Sequence, residues 1–96
     1  MSYTVVWTDE ARHSFIRNMD YLASDWPTQV SLDFLDRVDE VLLQTGANPM
    51  TYPEHDTSDS IRRCIVHKRI ILYFQVVNSD TVQLLTFWNT YQNPEF

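Results

Sequence analysis

The sequence predicts an α+β fold of order β-α-α-β-β-β, with a helical hairpin packed on one face of an antiparallel sheet. Three observations predict it. Two stretches of helical apolar spacing fill the first half, three short β-rich runs fill the last third, and one further β-rich run precedes the helices. Ninety-six residues, 44% hydrophobic and 14% aromatic, suffice for one core and leave no room for a second, so residues 1–96 are read as a single domain.

Tyr3–Trp7 (YTVVW) is the first β-rich run. Thr8 stands where a helix N-cap should, and Asp9 and Glu10 follow in the first turn, where carboxylates meet the positive end of the helix dipole. Ala11, Phe15, Met19 and Leu22 then recur at spacings of four, four and three, one apolar face of a helix. The pattern lapses at Ala23-Ser24-Asp25-Trp26. Pro27 suits the first position of a second helix, because its missing N–H costs nothing there. Val30, Phe34, Val38, Val41 and Leu42 make its buried stripe, widened by Leu35. Gly46, the only glycine, with Pro49 three residues on, reads as a C′ stop, so this helix is expected over Pro27 to Thr45. Its acids Asp33, Asp36, Asp39 and Glu40 read as a solvated face, with Asp33 able to pair with Arg37 at i,i+4.

Asn48 to Ser60 (NPMTYPEHDTSDS) is polar and holds two prolines, so it is expected to be a loop. Ile61–Val66, Ile70–Val77 and Val82–Trp88 follow as a meander, joined by His67-Lys68-Arg69 and by Asn78-Ser79-Asp80-Thr81. The middle run is apolar on both phases of a period-2 pattern. It should therefore be central and covered on both faces. The sheet face away from the helices should be partly open, because no element remains to cover it.

The net charge of −6 argues against nucleic acid, whose phosphates reward clustered Lys and Arg, and no direct sequence-specific nucleic-acid binding is expected. The charge is unevenly placed. Residues 1–60 hold three basic residues against eleven acidic ones, whereas Arg62, Arg63, Lys68 and Arg69 fall within eight positions of the meander. That cluster either forms a positive surface or blunts a strand end against edge pairing. Cys64 stands alone and reads as a small buried hydrophobe. Neither a signal peptide nor an apolar run long enough to span a membrane is evident, so no membrane association and a cytoplasmic address are expected. One glycine excludes a phosphate-binding glycine loop. His13, His55 and His67 lack ligand spacing, so neither metal nor cofactor is expected. Cys64 and His67, at i and i+3 of a strand, are expected on opposite faces, which would exclude a Cys-His pair.

Asn48-Pro49 with Tyr52-Pro53, the pair Arg62-Arg63, Ile71-Leu72-Tyr73, and Phe87-Trp88-Asn89-Thr90 leading to Gln92-Asn93-Pro94, set in this element order, resemble the RelE/ParE superfamily of bacterial type II toxins. Within it, the chain looks like a ParE-like, plasmid-stabilisation-type toxin. The resemblance implies a cognate antitoxin whose extended or helical segment masks the working surface. It also implies one of two actions: poisoning DNA gyrase by binding it, or cutting mRNA on the ribosome.

The nuclease branch is strongly basic and places an Arg on the third strand shortly before its Tyr. Here that position is close to Ile70, with Arg69 one residue out, and a one-residue slip turns a side chain to the other face. Losing one electrostatic donor at a scissile phosphate costs roughly 3–4 kcal/mol of transition-state stabilisation. The resemblance therefore points to the non-catalytic, gyrase-binding action. Arg62, Arg63, Tyr73, Trp88, Asn89, Tyr91, Gln92 and Asn93 are the candidates for the target- or antitoxin-binding surface. Two alternatives stand beside it: a ribosome-dependent endonuclease using Arg63, Arg69 and Tyr91, and a non-toxic relative keeping only the fold and partner binding.

Overall fold

The computed structural model describes residues 2–55 and 58–92. In chain order these form β1 (Thr4–Trp7), α1 (Asp9–Asp25), α2 (Thr28–Ala47), a 3-10 turn (Pro49–Thr51), β2 (Glu54–His55), β3 (Ser58–His67), β4 (Ile70–Val76) and β5 (Thr81–Asn89). The sheet order is β1-β5-β4-β3-β2, and the two helices lie over one face. The α+β reading and its element order hold, with the two-residue β2 added ahead of the meander. The sheet is mixed, however, rather than antiparallel throughout: β1 runs parallel to β5, Thr4 opposite Thr81 and Trp7 opposite Leu84. Parallel neighbours need a long crossover, and everything between β1 and β5 supplies one.

β4 is the central strand, as its two-phase pattern predicts. Ile70, Leu72 and Phe74 are buried with Phe34, Val38 and Val41 of α2 in the main core, while Tyr73, on the alternate phase, is also buried. Aromatic rings fill the space under α1. Phe15 stacks on Phe34 at 5.7 Å and meets the edges of Trp7 and Phe87 at 5.6 and 5.4 Å.

Thr8 caps α1 as expected, its hydroxyl accepting from Ala11 N–H at 3.0 Å. The same hydroxyl donates to the Leu84 carbonyl at 2.8 Å, which ties the helix start to β5. The apolar face contains Ala11 and Leu22 as read, but Ser14 and Asn18 are equally buried. They serve the edge of β5. β1 stops pairing at Leu84, and beyond it Phe87 N–H donates to Ser14 Oγ at 2.9 Å while Phe87 C=O accepts from Asn18 Nδ2 at 2.9 Å. Two polar side chains of α1 thus continue the ladder that β1 leaves unfinished.

α2 starts one residue later and ends two residues later than the stop signals imply, with Pro27 in the N-cap position and Gly46 inside the last turn. No described residue has a positive φ, so the helix is not closed by a left-handed glycine. Asn48 ends it instead, its N–H bonding Gln44 C=O at 2.8 Å before Pro49 turns the chain away. Gly46 lies where β1 crosses that turn, and its carbonyl accepts from Tyr3 N–H at 2.6 Å.

The segment expected to be a loop is partly ordered into the 3-10 turn, β2 and the start of β3. Arg62 explains it. Its guanidinium donates to Tyr52 C=O at 2.6 Å and approaches Glu54 at 3.6 Å, while Arg63 N–H donates to Pro53 C=O at 3.1 Å. These bonds fold residues 52–54 back onto β3.

Candidate functional site

The sequence candidates separate into two places on the sheet. The first is the edge of β3. β2 pairs with β3 only as far as Arg62, so from Arg63 to His67 the strand is paired with β4 on its inner side and has no strand on its outer side among the described residues, where Arg63 N–H meets Pro53 C=O. Arg62 itself is structural in placement: its side chain is only 14% exposed and its charge is shared by Tyr52 C=O and Glu54. Arg63 is half-buried and lines an open cavity of about 440 Å³ with Arg37, Tyr52, Pro53, Cys64, Ile65 and Ile71. The pairing expected between Asp33 and Arg37 is not formed. Asp33 is taken by Gln29 at 2.8 Å, while Arg37 pairs with Glu40 at 2.7 Å and donates to the Ile65 carbonyl at 3.3 Å.

Cys64 is buried at the back of this cavity. Burial pushes its thiol pKa up, against the pull of Arg37, so the thiol stays protonated and unreactive at neutral pH. Burial also pushes the neighbouring Tyr52 hydroxyl up to about 12. The cavity therefore offers guanidinium charge and apolar walls rather than a nucleophile.

The second place is the β3–β4 hairpin end with the start of the tail. Arg69 lies over the Tyr91 ring at 5.0 Å, and its carbonyl accepts from both Thr90 N–H at 2.7 Å and Thr90 Oγ1 at 2.9 Å. Asn89 is buried: its amide donates to Asn18 at 3.0 Å and its carbonyl oxygen accepts from Tyr91 N–H at 2.9 Å, which turns the chain sharply. Asn89 therefore shapes the tail from inside. Tyr91 and Gln92 are exposed, and Asn93 lies outside the described residues. A cavity of about 290 Å³ opens here, lined by Trp26, Val30, Asp33, His67, Lys68 and Tyr91.

A bulge between Ile65 and His67 interrupts the alternation of β3. It brings the His67 ring to the helix side, edge-on to Phe34 at 6.4 Å, and not to the face opposite Cys64 that strict alternation predicts. Burial, helped by the charge of Lys68, lowers the His67 pKa, so its ring is neutral at neutral pH.

Tyr73 and Trp88 sit between these two places on the face away from the helices, Tyr73 opposite Arg63 and Trp88 opposite Ile71. Tyr73 is buried and Trp88 half-buried. Around them Ile65, 62% exposed, is the largest apolar element left to solvent on the strand. Of the three residues for a nuclease reading, Arg69 and Tyr91 are brought together, whereas Arg63 lines the other cavity. Ile70, close to the position where that branch carries its cation, is buried.

Arg37, Tyr52, His67 and Trp26 complete these surfaces without having been among the candidate contact residues. Arg37 carried a usable signal: it is the only basic residue of α2, yet it sits one position from the buried Val38. No group of His, Cys, Asp and Glu among the described residues is placed to hold a metal ion, and no described helix is long and apolar enough to cross a membrane.

A family model described as the ParE toxin of the type II toxin–antitoxin system parDE matches residues 5–94. No curated protein matches the sequence significantly. Among solved structures, the chain is similar to a component of the chromosomal ParDE system from P. aeruginosa, with a TM-score of 0.73 at 12% identity over 92% of this chain and 96% of that one. It is also similar to a chain of the E. coli DinJ–YafQ toxin–antitoxin complex, with a TM-score of 0.69 at 5% identity over 97% and 98%. The YoeB dimer from Staphylococcus aureus gives 0.57 at 9% identity over 91% and 95%. At such identities these likenesses concern the fold.

Proposed function

The chain belongs to the ParE toxin family of type II toxin–antitoxin systems, and from that premise we propose that it acts by binding a protein target of the DNA gyrase type and is neutralised by a cognate antitoxin. The observation that carries this reading is the dispersal of the catalytic set. Arg63 lines the β3-edge cavity, Arg69 is held over Tyr91 at the hairpin end, and Ile70 is buried against the helices. A phosphoryl-transfer site needs its cation and its acid–base groups around one reacting atom. What the arrangement does offer is exposed aromatic and apolar surface flanked by guanidinium groups, the residue types that anchor protein interfaces.

Arg63, Trp88, Tyr91 and Gln92 are the contact residues in this reading, with Arg62 bracing the loop, Tyr73 supporting the sheet face and Asn89 fixing the tail. Solved relatives described as ParDE and DinJ–YafQ systems support an antitoxin partner. The test is induction of the chain without its antitoxin. Growth arrest with inhibited supercoiling by purified gyrase and intact ribosome-bound mRNA is the expected outcome. Uninhibited gyrase rejects the proposed target.

The Arg69–Tyr91 contact, with the neutral His67 close by in sequence, favours the ribosome-dependent endonuclease as the second reading. Cleavage of mRNA on translating ribosomes, lost in Tyr91→Phe, would establish it. A non-toxic relative would leave growth unaffected in the same induction.

A further inference from the structure

We propose that Asn18 of α1 is a positioning residue for the exposed tail: acting through Asn89, it sets the turn that presents Tyr91 and Gln92. The inference rests on the reading of those two residues as contacts of a binding toxin, and it adds a residue that touches no partner itself.

The order of donors and acceptors between helix and tail leaves one solution. Asn18 Nδ2 donates to two backbone carbonyls, Ser14 C=O and Phe87 C=O, each at 2.9 Å. A carbonyl can only accept, so the NH2 of Asn18 must lie at that end and its oxygen at the other. That oxygen meets Asn89 at 3.0 Å, and Asn89 must therefore turn its own NH2 inward. What is left of Asn89 for the tail is its oxygen, which accepts from Tyr91 N–H at 2.9 Å and from Gln92 N–H at 3.4 Å. Backbone N–H groups only donate, so no other setting of the two amides satisfies every contact. Were Asn89 reversed, it would point N–H at N–H, and the turn would lose the side-chain acceptor that closes it.

The Tyr91 ring is held from other sides as well. Arg69 lies over it at 5.0 Å, and Tyr21, one turn beyond Asn18 on α1, approaches it at 6.4 Å. Tyr91 nevertheless stays 54% exposed, whereas Asn18 and Asn89 are buried. A ring fixed in this way and still open to solvent has little freedom left to lose on binding. Buried groups that lock an exposed contact without reaching the partner are what such presentation requires. Ser14 marks the difference between this role and a structural one. Its hydroxyl serves the same stretch of β5, accepting from Phe87 N–H at 2.9 Å and donating to Ala11 C=O at 3.1 Å, but neither bond leads to the tail.

Amide exchange of the isotope-labelled full chain tests the link. In the parent, Tyr91 N–H should exchange at least about tenfold more slowly than in an open chain. Asn18→Ala should bring Tyr91 and Gln92 close to the open-chain rate. Asn18→Ser, whose short hydroxyl can serve Ser14 C=O but offers no oxygen to Asn89, should do the same, and it stands in if the alanine variant does not fold. Ser14→Ala should lower the melting temperature as well, yet leave Tyr91 protected. The amount of folded protein needed for growth arrest should rise about tenfold for Asn18→Ala and stay within about twofold for Ser14→Ala. Adding Asn89→Asp to Asn18→Ala gives the tail a carboxylate, which accepts at either end and needs no partner to orient it. Tyr91 protection and arrest should then return toward the parent values. The melting temperature should not, because Phe87 C=O still lacks its donor.

Open-chain exchange of Tyr91 in the parent would overturn the proposal without any variant. So would a protected Tyr91 in the Asn18 variants, an equal loss of protection in Ser14→Ala, or a folded double variant whose tail is not restored. Growth arrest by the parent reports separately on the toxin reading. No arrest removes that reading and leaves amide exchange to decide what Asn18 holds, whereas equal arrest by the parent and Asn18→Ala removes the role of Asn18 alone.

Discussion

Asn18 shows most plainly how much of this fold rests on a few polar side chains. Its amide donates to Ser14 C=O and Phe87 C=O, both at 2.9 Å, and its carbonyl oxygen accepts from Asn89 at 3.0 Å, all of them buried. Asn18→Leu keeps the branched shape but strands a backbone carbonyl and an amide away from water. It should cost roughly 2–4 kcal/mol, since each unsatisfied buried group costs about 1–3 kcal/mol. A urea midpoint lowered at constant slope checks it. Thr45 presents the opposite case, a fully buried hydroxyl without a hydrogen-bond partner. Thr45→Val removes that hydroxyl at similar shape and should raise stability by about 1 kcal/mol, read as a higher melting temperature. Neither residue's role was legible in the sequence. Ser14 and Asn18 share the helix face of Ala11 and Leu22, but a polar residue in an apolar stripe reads as an interruption until the backbone it serves is known. That backbone, Phe87, lies 69 positions beyond Asn18. Tyr91 and Gln92, by contrast, were named as surface candidates by the motif that carries the resemblance, and both are exposed.

Among the elements, helix α2 and strand β3 depart most from their sequence signals, and each departure has a measurable consequence. Gly46 carries the usual stop signal, yet it is helical, and a Cβ there would lie 3.6 Å from Tyr3 C=O and 3.7 Å from Val5, ordinary contact distances. Gly46→Ala should therefore stabilise the protein by up to about 0.5–1 kcal/mol, the cost of glycine within a helix. Unfolding by heat measures it, and a lower melting temperature would mean that the β1 crossing is tighter than these distances allow. In β3 the bulge after Ile65 turns His67 toward Phe34. Bulges leave no mark in hydrophobic alternation, so the opposite-face reading of Cys64 and His67 failed there, while the strand itself was plain from its β-branched residues. The lowered His67 pKa makes the folded state bind fewer protons than the unfolded chain just below the ordinary histidine value, about 6.5. Its contribution is therefore complete above that value and is lost as pH falls through the depressed folded value. His67→Gln should flatten the acid-side slope of stability below about pH 6.5. An unchanged slope would assign the acid sensitivity to other groups.

For the molecule as a whole, the uneven charge seen in the sequence becomes a division between layers. The helices carry eight of the thirteen acids, while Arg63, Lys68 and Arg69 belong to the sheet and its hairpin end. Such a separation leaves the net charge at −6 yet allows the sheet to present cations locally, so net charge alone misjudges what this surface can meet. It also separates residues that hold the fold from residues free to bind. Arg62 is adjacent to Arg63 in sequence, but its guanidinium is 14% exposed and tied to Tyr52 and Glu54, whereas Tyr91 is 54% exposed and touches chiefly Arg69 and Tyr21. The two should respond differently to truncation. Arg62→Ala leaves the Tyr52 carbonyl without its donor and should lower stability by about 1–3 kcal/mol, reducing toxicity only in proportion to the folded protein lost. Tyr91→Ala removes an exposed ring and should leave the unfolding midpoint within about 0.5 kcal/mol of the parent. It should nevertheless weaken growth arrest on induction, because an aromatic ring held in place by a neighbouring guanidinium is an anchor whose loss a binding surface feels directly. Measuring stability and arrest in both variants separates the two roles. Full arrest by Tyr91→Ala would move the working surface away from the hairpin end and onto the β3 edge.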